Sequence, residues 1–156
     1  MSNLSILEAA KYILEQLGET TAMKLQKLTF YVKAWSLVWD EDEMFPEEFQ
    51  AWANGAVSPF LYDRHRGMFK VTPNILSDID SNKLSDNQKD TINSVLSFYG
   101  EFTAQQLSDI NHQEYPWKKA RGDLPPEARS TNVVSIADMA EYYSGLWIEM
   151  DEQKGD

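Results

Sequence analysis

The sequence predicts a mainly α-helical protein, with six to seven helices in a compact single domain and at most one short two- or three-stranded antiparallel β element. Three observations predict it. Apolar residues recur at steps of three and four along several segments, the spacing of a helix face. Capping-box pairs, Ser5 with Glu8 and Thr103 with Gln106, open two of these segments, and glycines stand where such helices would stop. Only two short stretches, Glu48 to Trp52 and Val133 to Ile136, read as strands. At 156 residues the chain is long enough to bury a core without disulfides or metal.

The first helix starts at Ser5, with Asn3 as a rival cap, carries Leu7, Ala10, Leu14 and Leu17 on its inner face, and ends at Gly18. The second opens at Thr20 or Thr21. Its stripe of Leu25, Leu28, Val32, Trp35 and Trp39 is widened by Tyr31 and Val38, while Lys24, Lys27 and Lys33 are expected to supply a wetter side. Asp40 to Pro46 reads as an acidic turn.

A short strand over Glu48–Trp52 precedes the turn pair Asn54–Gly55. Ser58 followed by Pro59 is an N-cap and a first-turn proline, which predicts a short helix to about Arg66, ended by Gly67. Residues 67–84 read as irregular. Ser85 starts a helix with Ile92, Val95, Leu96 and Tyr99 inside and Gly100 as its stop. Thr103 opens another to about Asn111, and Pro116 starts a further turn. Pro125 and Pro126 break the chain again. Val133, Val134 and Ile136 form a possible second strand, and Ser135 caps a last helix whose packing candidates are Met139, Tyr142, Tyr143, Leu146 and Ile148. Residues 1–148 are expected to form the domain and 149–156 an acidic, frayed tail.

Charge and composition exclude several functions. There is no cysteine, which removes disulfides, thiolate metal sites and thiol catalysis. The balance of 14 basic to 25 acidic residues, net −11, opposes non-specific nucleic-acid binding and suits a basic protein partner. Residues 41–50 hold five acids and no base, and residues 135–156 hold six acids against Lys154. The mildly basic stretches are Arg64, Arg66 and Lys70, then Lys118, Lys119, Arg121 and Arg129. Neither a signal peptide nor a membrane-spanning apolar run is visible, so a cytoplasmic location is expected.

No pattern announces catalysis or a cofactor. The two histidines, His65 and His112, do not form a zinc motif, and Asp78 and Asp80 lack the glycine and closing glutamate of a calcium loop. Glycine-rich phosphate loops and Gly-x-Ser-x-Gly are absent. His112 and Glu114, two residues apart, form the one general-base pair the sequence offers, against the alternative of a structural histidine pinning the loop before Pro116.

Three stretches in order carry a resemblance. They are Met23-Lys24-Leu25-Gln26-Lys27-Leu28-Thr29-Phe30-Tyr31, continuing to Ala34-Trp35, then Ala51-Trp52-Ala53-Asn54-Gly55-Ala56-Val57-Ser58-Pro59-Phe60-Leu61-Tyr62, then His112-Gln113-Glu114-Tyr115-Pro116-Trp117. Together they resemble the Panacea domain, or SocA-like antitoxin domain, which has phage-associated relatives of the GepA type. Two positions depart from the common family pattern. Ala56 stands where proline is frequent, and Asn111 stands where threonine or serine often precedes the histidine.

The resemblance implies a non-enzymatic antitoxin without cofactor that neutralises a cognate protein toxin by direct contact, with a protease as a further partner in some relatives. It marks Lys24, Gln26, Lys27, Tyr31, Trp52, Gly55, Pro59, Tyr62, His112, Glu114, Pro116 and Trp117 as family motif residues, serving either the shared scaffold or partner contact. The alternative is a phage or mobile-element adaptor that binds a host protein such as a protease or defence component. A hydrolase built on His112 and Glu114, and a DNA-binding autorepressor built on Arg64, Arg66 and Lys70, are the remaining readings.

Overall fold

A computed structural model describes residues 4–154. Asn3 and the last two residues of the expected tail lie outside the described residues. Helices α1 (Ile6–Leu17), α2 (Ala22–Trp39), α3 (Pro59–His65), α4 (Asp86–Tyr99), α5 (Ala104–His112), α6 (Tyr115–Arg121) and α7 (Ile136–Lys154) build the molecule, joined by four short strands and two 3-10 turns. The mainly α reading holds. Its β content is divided between two antiparallel pairs: β1 (Thr20–Thr21) with β4 (Lys70–Val71), and β2 (Gln50–Trp52) with β3 (Gly55–Val57).

Helix boundaries follow local chemistry. Ser5 and Glu8 close the capping box of α1, Thr103 and Gln106 that of α5, and Ser85 forms one with Gln88 at α4. Gly18 ends α1 with φ +82, a value that favours glycine. Ser58 caps α3 by accepting the Leu61 amide at 3.3 Å, with Pro59 in the first turn. Ser135 accepts the Asp138 amide at 3.2 Å at the start of α7.

α2 is the central element. Helices α1, α4, α5 and α7 and strand β3 all pack against it. From Leu25 to Ser36 every residue is buried, so a one-sided helix would not fit this position. The expected wet side is therefore corrected: Lys27 and Lys33 are each 1% exposed, and only Lys24 is half-exposed. Their long stems cross the apolar layer and the ammonium groups find oxygen on loops. Lys27 Nζ donates to the Ala56 carbonyl at 3.1 Å. Lys33 Nζ donates to the Glu47 carbonyl at 2.6 Å and pairs with Glu43 at 3.0 Å.

Aromatic rings fill the space beside α2. Phe30 packs edge-on against Phe49 at 5.2 Å and Tyr143 at 6.3 Å, and Tyr31 stacks on Tyr99 at 4.1 Å.

Two expectations shift at the C-terminal end. Val133 forms a single bridge with Gln50, and the Val134 amide donates to the Phe49 carbonyl at 2.8 Å, so this stretch borders β2 without becoming a strand. Ile136 already belongs to α7, which runs on through Glu149 to Lys154 where a frayed tail was expected.

Candidate functional site

The motif residues converge on one polar seam along α2. Gln26 clamps the start of α3. Its Oε1 accepts the Ser58 amide at 2.8 Å and its Nε2 donates to the Ser58 carbonyl at 3.2 Å, so the side chain pairs with Ser58 as a neighbouring strand would. The same Nε2 lies 2.9 Å from His65 Nε2. An amide nitrogen only donates, so that ring nitrogen is the acceptor and His65 is neutral. Burial, then the nearby Lys27 charge, hold His65 below its usual pKa, against a contact with its own backbone carbonyl. Tyr62 packs against both Trp52 and His65 at 5.2 Å, and Arg66 lies over the Tyr62 ring at 5.0 Å.

One residue along, Lys27 crosses under Gly55. A Cβ on Gly55 would sit 2.5 Å from Lys27 Cε and 2.9 Å from Asn111 Oδ1, and its φ is +116. Space and backbone both demand glycine here. No carboxylate pairs with Lys27 among the described residues, and burial lowers its pKa from 10.5 to about 7. Glu114, the acid in the third motif, is engaged elsewhere.

Glu114 receives two phenols on one oxygen, Tyr31 at 2.6 Å and Tyr143 at 2.8 Å. Burial raises its pKa, opposed by these two hydrogen bonds and by the nearby Asn111 amide. The inward carboxylate explains why α6 starts without a side-chain cap. Behind it, Trp35 Nε1 donates to Tyr99 Oη at 3.0 Å.

His112 does not bond Glu114. It stacks on Trp117 at 4.3 Å, with Nε2 buried and without a partner. Burial leads the lowering of its pKa, with Lys27 and Arg121 adding to it against the Ala53 backbone and Asp109. The candidate general-base pair of His112 and Glu114 is thus not assembled. Trp117 Nε1 donates to the Trp52 carbonyl at 3.0 Å, and Pro116 is buried. Lys24 Nζ donates to the Gly100 carbonyl at 2.5 Å and ties α2 to the end of α4.

The two departures from the family pattern meet each other. Ala56 has an amide proton that proline would lack, and Asn111 Oδ1 accepts it at 2.8 Å. A buried N–H without an acceptor costs about 1–3 kcal/mol. Asn111 removes a penalty that Ala56 creates.

Sequence reasoning left out four contributors to the seam. Ser58 was legible as a cap but not as the partner of Gln26. Tyr143 was legible only as a packing residue. Ser108 donates to the Asn54 carbonyl at 2.6 Å. Arg121, 4% exposed, donates to the carbonyls of Ala51, Pro125, Pro126 and Ala128 and lies over Trp117 at 5.5 Å. Each of these bonds joins segments separated in the chain or uses a backbone carbonyl, and neither leaves a spacing signal.

Four of the seven residues in the basic stretches pair with acids of the same chain. Arg64 pairs with Asp78 at 2.9 Å, Arg66 with Asp63 at 3.0 Å, Lys70 with Glu19 at 3.8 Å and Lys119 with Asp138 at 3.0 Å. Among the described residues no group of three His, Asp or Glu is placed to hold a metal ion. Among the described residues, no helix is long and apolar enough to cross a membrane.

Gln26, Lys27, Tyr31, Gly55, Glu114 and Pro116 are buried, and Lys24, Trp52, Pro59, Tyr62, His112 and Trp117 are half-buried. This is the geometry of a framework that holds three chain segments together. Comparison with curated proteins and with solved structures returns no match. A family model described as antitoxin SocA-like, Panacea domain, matches residues 25–118, from the first turn of α2 into α6. That span contains all three motifs except the first residues of the first, together with the hydrogen bonds that α2 makes to the other two, and the chain belongs to the SocA-like antitoxin family with the Panacea domain.

Proposed function

We propose that this chain is an antitoxin that neutralises a cognate protein toxin by direct binding, without chemistry of its own. The observation that carries the reading is membership of a family named for an antitoxin, over more than half of the chain. The inward motif residues support it. Their side chains hold α2, the β2–β3 hairpin and α6 together, which leaves partner choice to surface residues outside the motifs. The net charge of −11 favours a basic partner, because complementary fields speed encounter and reject wrong partners. Nucleic acid is disfavoured, since Arg64, Arg66 and Lys70 each face an acid.

The test is co-expression with the products of the flanking genes. A flanking protein that arrests growth alone, and forms a stoichiometric complex with this chain that restores growth, is the expected result. Stable capture of a host protein with no toxic neighbour would replace the reading with an adaptor. A His112→Ala variant that folds and restores growth fully is expected. Loss of rescue by a folded His112→Ala variant would bring the hydrolase reading back.

A further inference from the structure

The far end of α2 carries a second feature, unlike the polar seam. Between α2, α4 and α7 lies an open groove of about 400 Å³, walled by Trp35, Trp39, Phe98, Tyr99, Trp147 and Met150. The three indoles form one aromatic wall. Trp35 and Trp39 stack at 5.0 Å, and Trp147 meets them edge-on at 5.9 and 5.7 Å. Phe98 is 56% exposed and Trp147 38% exposed. Trp39 Nε1 is shielded from water and has no acceptor, so the wall holds an unused hydrogen-bond donor.

The rim is acidic. On α4, Asp90 lies one turn before Ser94 and Phe98 on the same stripe, and on α7, Asp151 lies one turn beyond Trp147; both acids are exposed. Glu41 and Asp42 are exposed on the turn that follows α2, and Glu152 is exposed near the end of α7. α4 carries no lysine or arginine after Lys89, α2 none after Lys33, and α7 none before Lys154. Electron-rich ring faces inside an acidic rim attract cations carried on an apolar frame. A second copy of this chain is a poor occupant, because it brings the same net charge of −11.

We propose that this groove is the docking site for a basic, amphipathic segment of a protein partner, whose arginine or lysine side chains meet the indole faces while apolar residues cover Phe98 and Met150. The proposal rests on the antitoxin reading only for the name of that partner. A backbone carbonyl of the docked segment would also give Trp39 Nε1 an acceptor after a small turn of the ring.

The probe is a fluorescein-labelled dodecapeptide alternating arginine with leucine, set against a counterpart with glutamate for arginine, titrated into the full chain by anisotropy. The arginine peptide is expected to bind about ten-fold or more tightly than the glutamate peptide, and less tightly as salt rises. Phe98→Ala with Trp147→Ala, and separately Asp90→Lys with Asp151→Lys, should each weaken it about ten-fold, with helical circular dichroism unchanged. Equal binding of the two peptides, no binding, or no effect of either variant pair overturns the proposal. So does a concentration-dependent dimer of the wild type that Phe98→Ala with Trp147→Ala abolishes, since the groove would then belong to a second copy. Growth rescue separates the two readings. A groove variant that still rescues as well as the wild type sinks the groove and leaves the antitoxin. A wild type that rescues no flanking toxin sinks the antitoxin, while the peptide titrations still decide the groove.

Discussion

The two ends of α2 are built from opposite chemistry. Between Gln26 and Tyr31 the helix reaches outward with an amide, an ammonium and a phenol, and each finds a partner on β3, α3 or the α5–α6 corner. Between Trp35 and Trp39 it presents indoles to a groove that the chain leaves open. Directional bonds at fixed length tolerate little displacement, so the first end sets geometry. Ring faces tolerate sliding and exchange of occupants, so the second end suits recognition. On the proposed reading, the motif residues hold the domain and the groove is the surface that meets a partner.

The strongest way to break this comparison is Gly55→Ala. The added methyl meets the Lys27 stem at 2.5 Å in a backbone of φ +116, and the stem cannot retreat without losing the Ala56 carbonyl. Strain and overpacking together should cost about 3 kcal/mol or more. Urea denaturation of Gly55→Ala checks it. A loss below about 1 kcal/mol would mean the seam yields easily and does not set the geometry.

Next comes the pH dependence of Lys27. Its folded pKa of about 7 lies below the unfolded value of 10.5. Between those values the unfolded chain binds more protons than the folded one, so stability rises with pH, by up to about 1.4 kcal/mol per pH unit. His65 and His112, also lowered, add stability only as pH climbs towards their ordinary 6.5. Glu114, raised, has the opposite sign and removes stability as pH rises above its ordinary 4.5. The tyrosines Tyr31, Tyr99 and Tyr143 are raised, so they reduce stability only above about pH 10. Across pH 7.5 to 9 the wild type should therefore gain about 2 kcal/mol, and Lys27→Met, which keeps the stem and deletes the ammonium, should lose that gain. Parallel stability curves for the two proteins would show that Lys27 stays charged in the fold.

How far the seam was legible in the sequence depends on the range of each interaction. Caps and glycine stops act within four residues, and the boundaries of α1, α3, α4 and α5 followed from them. The burial of Lys27 and Lys33 did not, because the oxygens that receive them lie on another segment. A lysine at helical spacing looks the same whether it ends in water or under a hairpin. β3 was hidden for a related reason. Gly55-Ala56-Val57 has no alternation because all three residues are buried. The motif residues were legible as a set, but not their order of bonding. His112 stacks on Trp117 while Glu114 turns to Tyr31 and to Tyr143, and the second of these lies on the last helix, outside the motifs.

A smaller effect sharpens the seam at one bond. Ala51 and Ala56 are opposed in the β2–β3 pair, yet the Ala51 amide goes to the Asn132 carbonyl at 2.8 Å and the Ala56 amide to Asn111. They form a non-hydrogen-bonded pair, so proline at 56 removes no ladder bond. Asn111→Ala alone should cost about 1–3 kcal/mol, since it orphans the Ala56 N–H. In an Ala56→Pro background the same change should cost about 1 kcal/mol less, because that N–H no longer exists. Asn111 also lies beside Tyr31 and Glu114, and that contribution is lost equally in both backgrounds and cancels. Equal costs in the two backgrounds would deny the coupling between these departures from the family pattern.

The smallest effect belongs to the groove. Phe98 is 56% exposed, and its ring packs edge-on against Tyr99 at 4.9 Å. Phe98→Ala should cost about 1 kcal/mol or less, within the range of surface substitutions, where truncating a buried phenylalanine costs about 3–5. Phe30→Ala supplies that second figure in the same protein, since Phe30 is fully buried beside the seam. The ratio of the two losses measures how far the aromatic end has been left out of the core. If Phe98→Ala approached Phe30→Ala, the groove wall would be carrying the fold, and the division of α2 into a structural end and a recognition end would fail.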